Sequence, residues 1–136
     1  MTTPLYALMG FVFWTVFLVF AIGASRVTEV ASGKKAPTDF PAGQPHGDPR
    51  YWRMNRAHMN CLENLPLFAA VVLAGHVSGL TEGTFALLSQ VYMAARVGQS
   101  CVHIASGSVL AVNVRFGFFL AQMACLVTMA WMVVSR

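Results

Sequence analysis

The sequence predicts an all-α fold, an integral membrane four-helix up-down bundle, on three observations. Of 136 residues, 57% are hydrophobic and only 10% charged, against about 25% charged in a soluble domain. Four apolar stretches, at about 4–25, 57–80, 84–105 and 109–134, each come near the roughly 20 residues a spanning helix needs. The second and third connections between them are short, which makes successive helices antiparallel neighbours. One such bundle uses the whole length, so residues 1–136 read as a single transmembrane domain.

The first stretch carries no charge from Pro4 to Ala24. Its apolar run is too long for a cleavable signal, and no basic region precedes it. A basic connection at about 26–55 follows, containing "SGKKAPTDFPAGQPHGDPR". The prolines and glycines between Pro41 and Pro49 preclude a helix there. Such a length suits either a flap edging a site or a solvated linker. Pro66 falls inside the second helix, where a lost backbone bond and a kink are tolerated in a membrane. "VSGLTEG" offers Thr81 as a helix cap with Glu82 in the first turn. Cys61, Cys101 and Cys125 have no CxxC spacing and read as buried, reduced thiols.

The net charge is +4, but its distribution points to a membrane rather than to nucleic acid. Arg26, Lys34, Lys35, Arg50, Arg53 and Arg56 lie in or beside the first connection, and the second connection has no Lys or Arg. The positive-inside rule puts the first connection in the cytoplasm and both termini on the far side. A multi-pass membrane location follows, the inner membrane in a bacterium, with lipid as the surrounding partner.

Polar residues interrupt this apolar chain in an ordered way. Arg53, Arg56, Asn60 and Glu63 are spaced three, four and three residues apart, which places them on one helical face. His58 points elsewhere, roughly 200° around from Arg56. Ser89, Tyr92, Arg96, Gln99 and His103 repeat the pattern on the third helix. Arg115, with Phe119 and Gln122 on its side, does so on the fourth. A charge inside a bilayer costs at least ~2.5–3.5 kcal/mol and faces a partner or a wet cavity. Arg53, Arg56, Arg96 and Arg115 are four cations, and Glu63 is the lone intramembrane anion. Arg53 and Arg56 are able to snorkel to lipid phosphates. Arg96 falls near mid-membrane, where Glu63 is its expected partner. The surplus of arginine asks for an anionic ligand or for lipid headgroups.

"RAHMNCLENLPLF" closely resembles the second-helix signature of the MAPEG family, the membrane-associated proteins in eicosanoid and glutathione metabolism. Arg56, Ala57, His58, Asn60, Glu63, Pro66 and Phe68 match that pattern. Ala95–Arg96 on the third helix, the four-span layout, the basic loop and the length agree with it, so the resemblance covers essentially the whole chain. It implies a homotrimer that binds glutathione, as co-substrate, between adjacent subunits near the cytoplasmic leaflet. Carried over by position, the glutathione-binding residues are Arg56, Asn60, Glu63, Arg96, Gln99 and His103, with Arg26 supplied by the neighbouring subunit. Arg53 and His58 complete the candidate set; His58 falls where the family has a His or Gln that faces the neighbour.

The ligand's chemistry agrees with this. Arginine matches carboxylates with a bidentate fork, and Glu63 can accept the ammonium. By the resemblance Arg115 is the catalytic cation. A free thiol has a pKa near 8.5, and a nearby cation lowers it. The thiolate then attacks a hydrophobic electrophile or a lipid hydroperoxide arriving from the bilayer. The implied function is a glutathione transferase with possible peroxidase activity, without a metal. His103 stands where many members have Tyr, and Phe116 and Phe119 follow Arg115 where the eukaryotic synthases have hydroxyl residues. These departures favour a general transferase over a specific synthase. The rival inside the family is a non-catalytic lipid-binding scaffold. A haem carrier explains His58, His76 and His103 but not the arginine surplus. A small exporter calls for an acidic residue in the first helix, and there is none.

Overall fold

A computed structural model describes all residues from 1 to 136. It contains four helices and no strand: α1 (Thr3–Ala31), α2 (Pro49–Val77), α3 (Gly83–Ala105) and α4 (Val109–Val134). The chain folds as an all-α up-down bundle. α1, α2 and α4 are each long and apolar enough to cross a membrane. α3 has 23 residues, enough to span. Its inward polar row, described below, keeps it out of the apolar class, so composition alone marks three spans rather than four.

The helix ends differ from the sequence expectation at the basic connection. α1 runs on to Ala31 and α2 begins at Pro49, so the connection is 32–48 rather than 26–55. An apolar window locates the membrane, not the helix. "SRVTEVA" holds no breaker, and the helix continues past the uncharged run that ends at Ser25. At α2, the Asp48 side chain accepts a hydrogen bond from Tyr51 N at 2.9 Å and Pro49 occupies the first turn. That is a strong start signal. Arg26, Arg50 and Arg53 therefore stand on helices. Thr81 is not the α3 cap: Glu82 holds that position, without a side-chain bond. Ser108 does cap α4, accepting from Ala111 N at 3.2 Å. α2 passes through Pro66 as one helix.

α2 and α3 sit at the centre, and α1 and α4 flank them without touching each other. Alternating directions bring the end of α1, the start of α2, the end of α3 and the start of α4 to one end, here called the basic end. The core gathers Phe11 and Leu18 of α1, Phe68 and Val72 of α2, Phe85 and Tyr92 of α3, and Met129 of α4. Phe68 stacks on Tyr92 with centroids 4.2 Å apart, and Phe11 leans on both rings at 6.0 and 6.2 Å. At the far end α2 and α3 approach closely at Gly75. A Cβ there would lie 2.2 Å from the Phe85 ring. The outside is apolar, with Phe13, Phe17, Phe20, Leu62, Leu67, Leu73, Leu120 and Trp131 exposed. Such a continuous apolar exterior is what lipid solvates and water does not.

Candidate functional site

The polar row of α3 is buried along its length. Ser89, Tyr92, Arg96, Gln99 and His103 are all enclosed, Arg96 to 1% exposure. Helical spacing predicts one face, and packing turns that face inward. The Arg96 guanidinium lies over the Phe11 ring at 5.5 Å. Its Nε and Nη2 have no hydrogen-bond partner, nor does the Tyr92 hydroxyl. An unmatched buried cation is costly.

The Glu63–Arg96 pair expected from sequence does not form, because Glu63 is exposed. Cys61, two residues earlier, is fully buried and lies 3.7 Å from the Ser100 hydroxyl. Two residues turn a helix by roughly 200°, so a buried Cys61 sends Glu63 outward. Arg56 is exposed as well, and Asn60 and His58 are half-buried. The polar face of α2 thus forms a rim, not a lining.

At the basic end the three helices converge. Arg53 Nε donates to the Ile104 carbonyl at 3.1 Å. Asn60 Nδ2 is 3.5 Å from His103 Nδ1. Gln99 Nε2 donates to the Arg115 carbonyl at 3.1 Å. Gln122 Nε2 donates to Gln99 Oε1 at 3.1 Å and to the Phe118 carbonyl at 3.0 Å. Arg56, exposed on α2, and Arg115, half-buried on α4, stand at the same end of the bundle. Arg115 Nε is enclosed and has no partner. So Arg53, Asn60, Gln99, His103 and the backbone of Arg115 are tied together at one end of the bundle, where Arg56 also lies, and no carboxylate pairs with them. Phe119 faces out; Phe118 takes the inner side, against Gly98. Cys101 is exposed rather than buried, whereas Cys61 and Cys125 are enclosed.

Arg26 stands apart. It is on α1, and its Nε donates to the Tyr51 hydroxyl at 2.8 Å. Its guanidinium covers the Phe40 ring at 5.3 Å. It borders a hollow of about 470 Å³ with Val27, Val30, Ala31, Pro37 and Phe40. None of the cavities within one chain takes in the cluster around His103. Sequence reading passed over Tyr51 and gave Gln122 no role. Gln122 carried a signal, standing two turns from Arg115, but Tyr51 carried none, because its partner is distant in the chain. No group of three His, Cys, Asp or Glu side chains converges to hold a metal.

Chemically, the cluster is a cationic edge with hydrogen-bond donors and no built-in counter-charge. It suits an anion bearing carboxylates or a thiolate. No curated relative matches this chain. The model of the family described as "MAPEG family" matches residues 4–135. With three helices fit to cross a membrane and that match over nearly its whole length, the chain is an integral membrane protein and belongs to the MAPEG family.

Proposed function

We propose that this protein is a membrane-embedded glutathione transferase, with peroxidase activity toward lipid hydroperoxides as a second outlet of the same thiolate. Roles of the family lie in membrane glutathione chemistry and in eicosanoid synthesis. The observation that carries the finer reading is the meeting of Arg53, Asn60, Gln99, His103 and the Arg115 backbone through hydrogen bonds at the basic end, without a carboxylate among them. Glutathione brings two carboxylates, one ammonium and one thiol. Arg53 and Arg56 take carboxylates, and Asn60, Gln99 and His103 supply further hydrogen bonds. Glu63, on the rim, accepts the ammonium. Arg96 is enclosed in the chain and adds positive potential from beneath.

Arg115 is the group for the thiol. Its Nε has no partner in the chain, and no carboxylate neutralises its charge. A cation beside a thiol lowers its pKa and raises the thiolate fraction. The thiolate sulfur then forms a bond to the electrophilic carbon, and the leaving group departs with its electron pair. Apolar substrates arrive from the lipid that solvates the exterior.

A second copy of the chain completes the site in this reading, and the family resemblance makes the assembly a homotrimer. The exposure of Arg56 and Glu63 and the separate placement of Arg26 support that view. The basic end faces the cytoplasm, as the distribution of Lys and Arg favours.

The test is glutathione-dependent conjugation of a chloronitroaromatic by purified protein in detergent. Turnover above the uncatalysed rate supports the reading. No turnover with a glutathione-induced rise in melting temperature narrows the substrate range. Neither turnover nor a rise overturns the proposal and favours a lipid-binding scaffold.

A further inference from the structure

The short connection 32–48 is tied to both helices it joins, and the tie runs through one hydroxyl. Tyr51 Oη accepts from Arg26 Nε at 2.8 Å and lies 3.2 Å from His46 Nε2. His46 Nδ1 is 2.8 Å from the Gln44 carbonyl. A carbonyl can only accept, so Nδ1 carries the proton, and in the neutral ring Nε2 is the acceptor. The bonds then run one way: Arg26 donates to Tyr51, Tyr51 donates to His46, and His46 donates to Gln44. Phe40 closes the arrangement, under the guanidinium of Arg26 at 5.3 Å and against the His46 ring at 6.2 Å.

The backbone is shaped to seat Tyr51. Gly47 has φ +73°, and a Cβ there would come within 2.5 Å of the Tyr51 ring. Asp48 fixes the amide of the same residue. Tyr51 is 7% exposed, although it belongs to the first turn of its helix. Arg26, by contrast, uses only Nε within the chain; its outer nitrogens form no hydrogen bond there.

We propose that Tyr51 is a positioning residue: it grips Arg26 by Nε and holds the outer guanidinium edge open for a carboxylate bound by a second copy of the chain. The carboxylate's identity as one of glutathione's rests on the function proposed above; the grip on Arg26 does not. A guanidinium fixed at Nε presents its two outer nitrogens as a fork, the geometry that pairs with a carboxylate. The connection 32–48 is then a frame for one arginine rather than a linker.

Two measurements on the full chain in detergent test this separately. The first needs no glutathione: solvent exchange of the Arg26 Nε–H, followed by NMR on arginine-labelled protein. Tyr51→Phe keeps the ring and removes the acceptor, and exchange should speed up about tenfold or more as the bond is lost. Equal rates in the two proteins overturn the grip. The second is a double-substitution cycle on KM for glutathione. Tyr51→Phe alone should raise KM about three- to tenfold, with kcat within about twofold. Added to Arg26→Ala, it should change KM no further. If the two effects multiply, Tyr51 acts independently of Arg26 and the positioning role is wrong. A fast-exchanging variant with unchanged KM removes the carboxylate role of Arg26 while leaving the transferase reading intact.

Discussion

The two ends of the bundle are built from the same four helices and solve opposite problems. At the far end the chain closes on itself. Gly75 lets Phe85 approach the backbone of α2, Val72, Phe68 and Met129 fill the interior, and no charged group is buried there. At the basic end the helices meet around cations. Arg115 Nε and Gln122 Oε1 are enclosed without partners, and Arg96 carries two unmatched nitrogens a little deeper. A protein selected for stability alone would not keep these groups. The difference separates a closed, apolar region from the region that the proposed function gives to a ligand.

Breaking the packed region should have the largest effect on stability and the least on the site. Phe68→Ala removes the ring stacked on Tyr92 and should cost about 3–5 kcal/mol. Thermal unfolding in detergent checks this. An unchanged melting temperature would mean that the aromatic cluster is not the core. Arg96→Met tests the boundary between the two regions. Removing an unpaired buried charge while keeping a similar volume should leave the unliganded protein as stable, or more stable by about 1–4 kcal/mol. The melting-temperature rise induced by glutathione should shrink in the same variant. A loss of unliganded stability would assign Arg96 to the fold instead. The smallest effect is expected at Gln122→Leu. It removes the donor to Gln99 and should cost about 1 kcal/mol, with a weak rise in KM for glutathione. No change in either would sever Gln122 from the site.

The same contrast governs what the sequence made legible. The buried row on α3 was readable because 3.6-residue periodicity and packing act on the same face, and every member from Ser89 to His103 is enclosed. The partner of Arg96 was not readable. Periodicity places Glu63 on a face but does not say how α2 is rotated, and Cys61 takes the inward direction. Helix ends at the basic connection were missed because α1 continues beyond its uncharged run. Asp48–Pro49, a legible start signal, lay outside the apolar window. Tyr51 had no signature at all, since its role comes from Arg26, a residue 25 positions away. The convergence of Arg53, Arg56 and Arg115 was legible only in part. Topology brings their helix ends together, but the rotation of each helix decides which side chains meet.

In the proposed function the cationic end binds glutathione and Arg115 activates its thiol. The most direct measurement compares wild type with Arg115→Ala in the same membrane mimic, recording glutathione affinity by calorimetry and kcat for conjugation. Near-wild-type affinity is expected, with kcat lowered by about 10²–10³-fold, the size that follows from losing one group that stabilises developing charge. Equal kcat in the two proteins would contradict it.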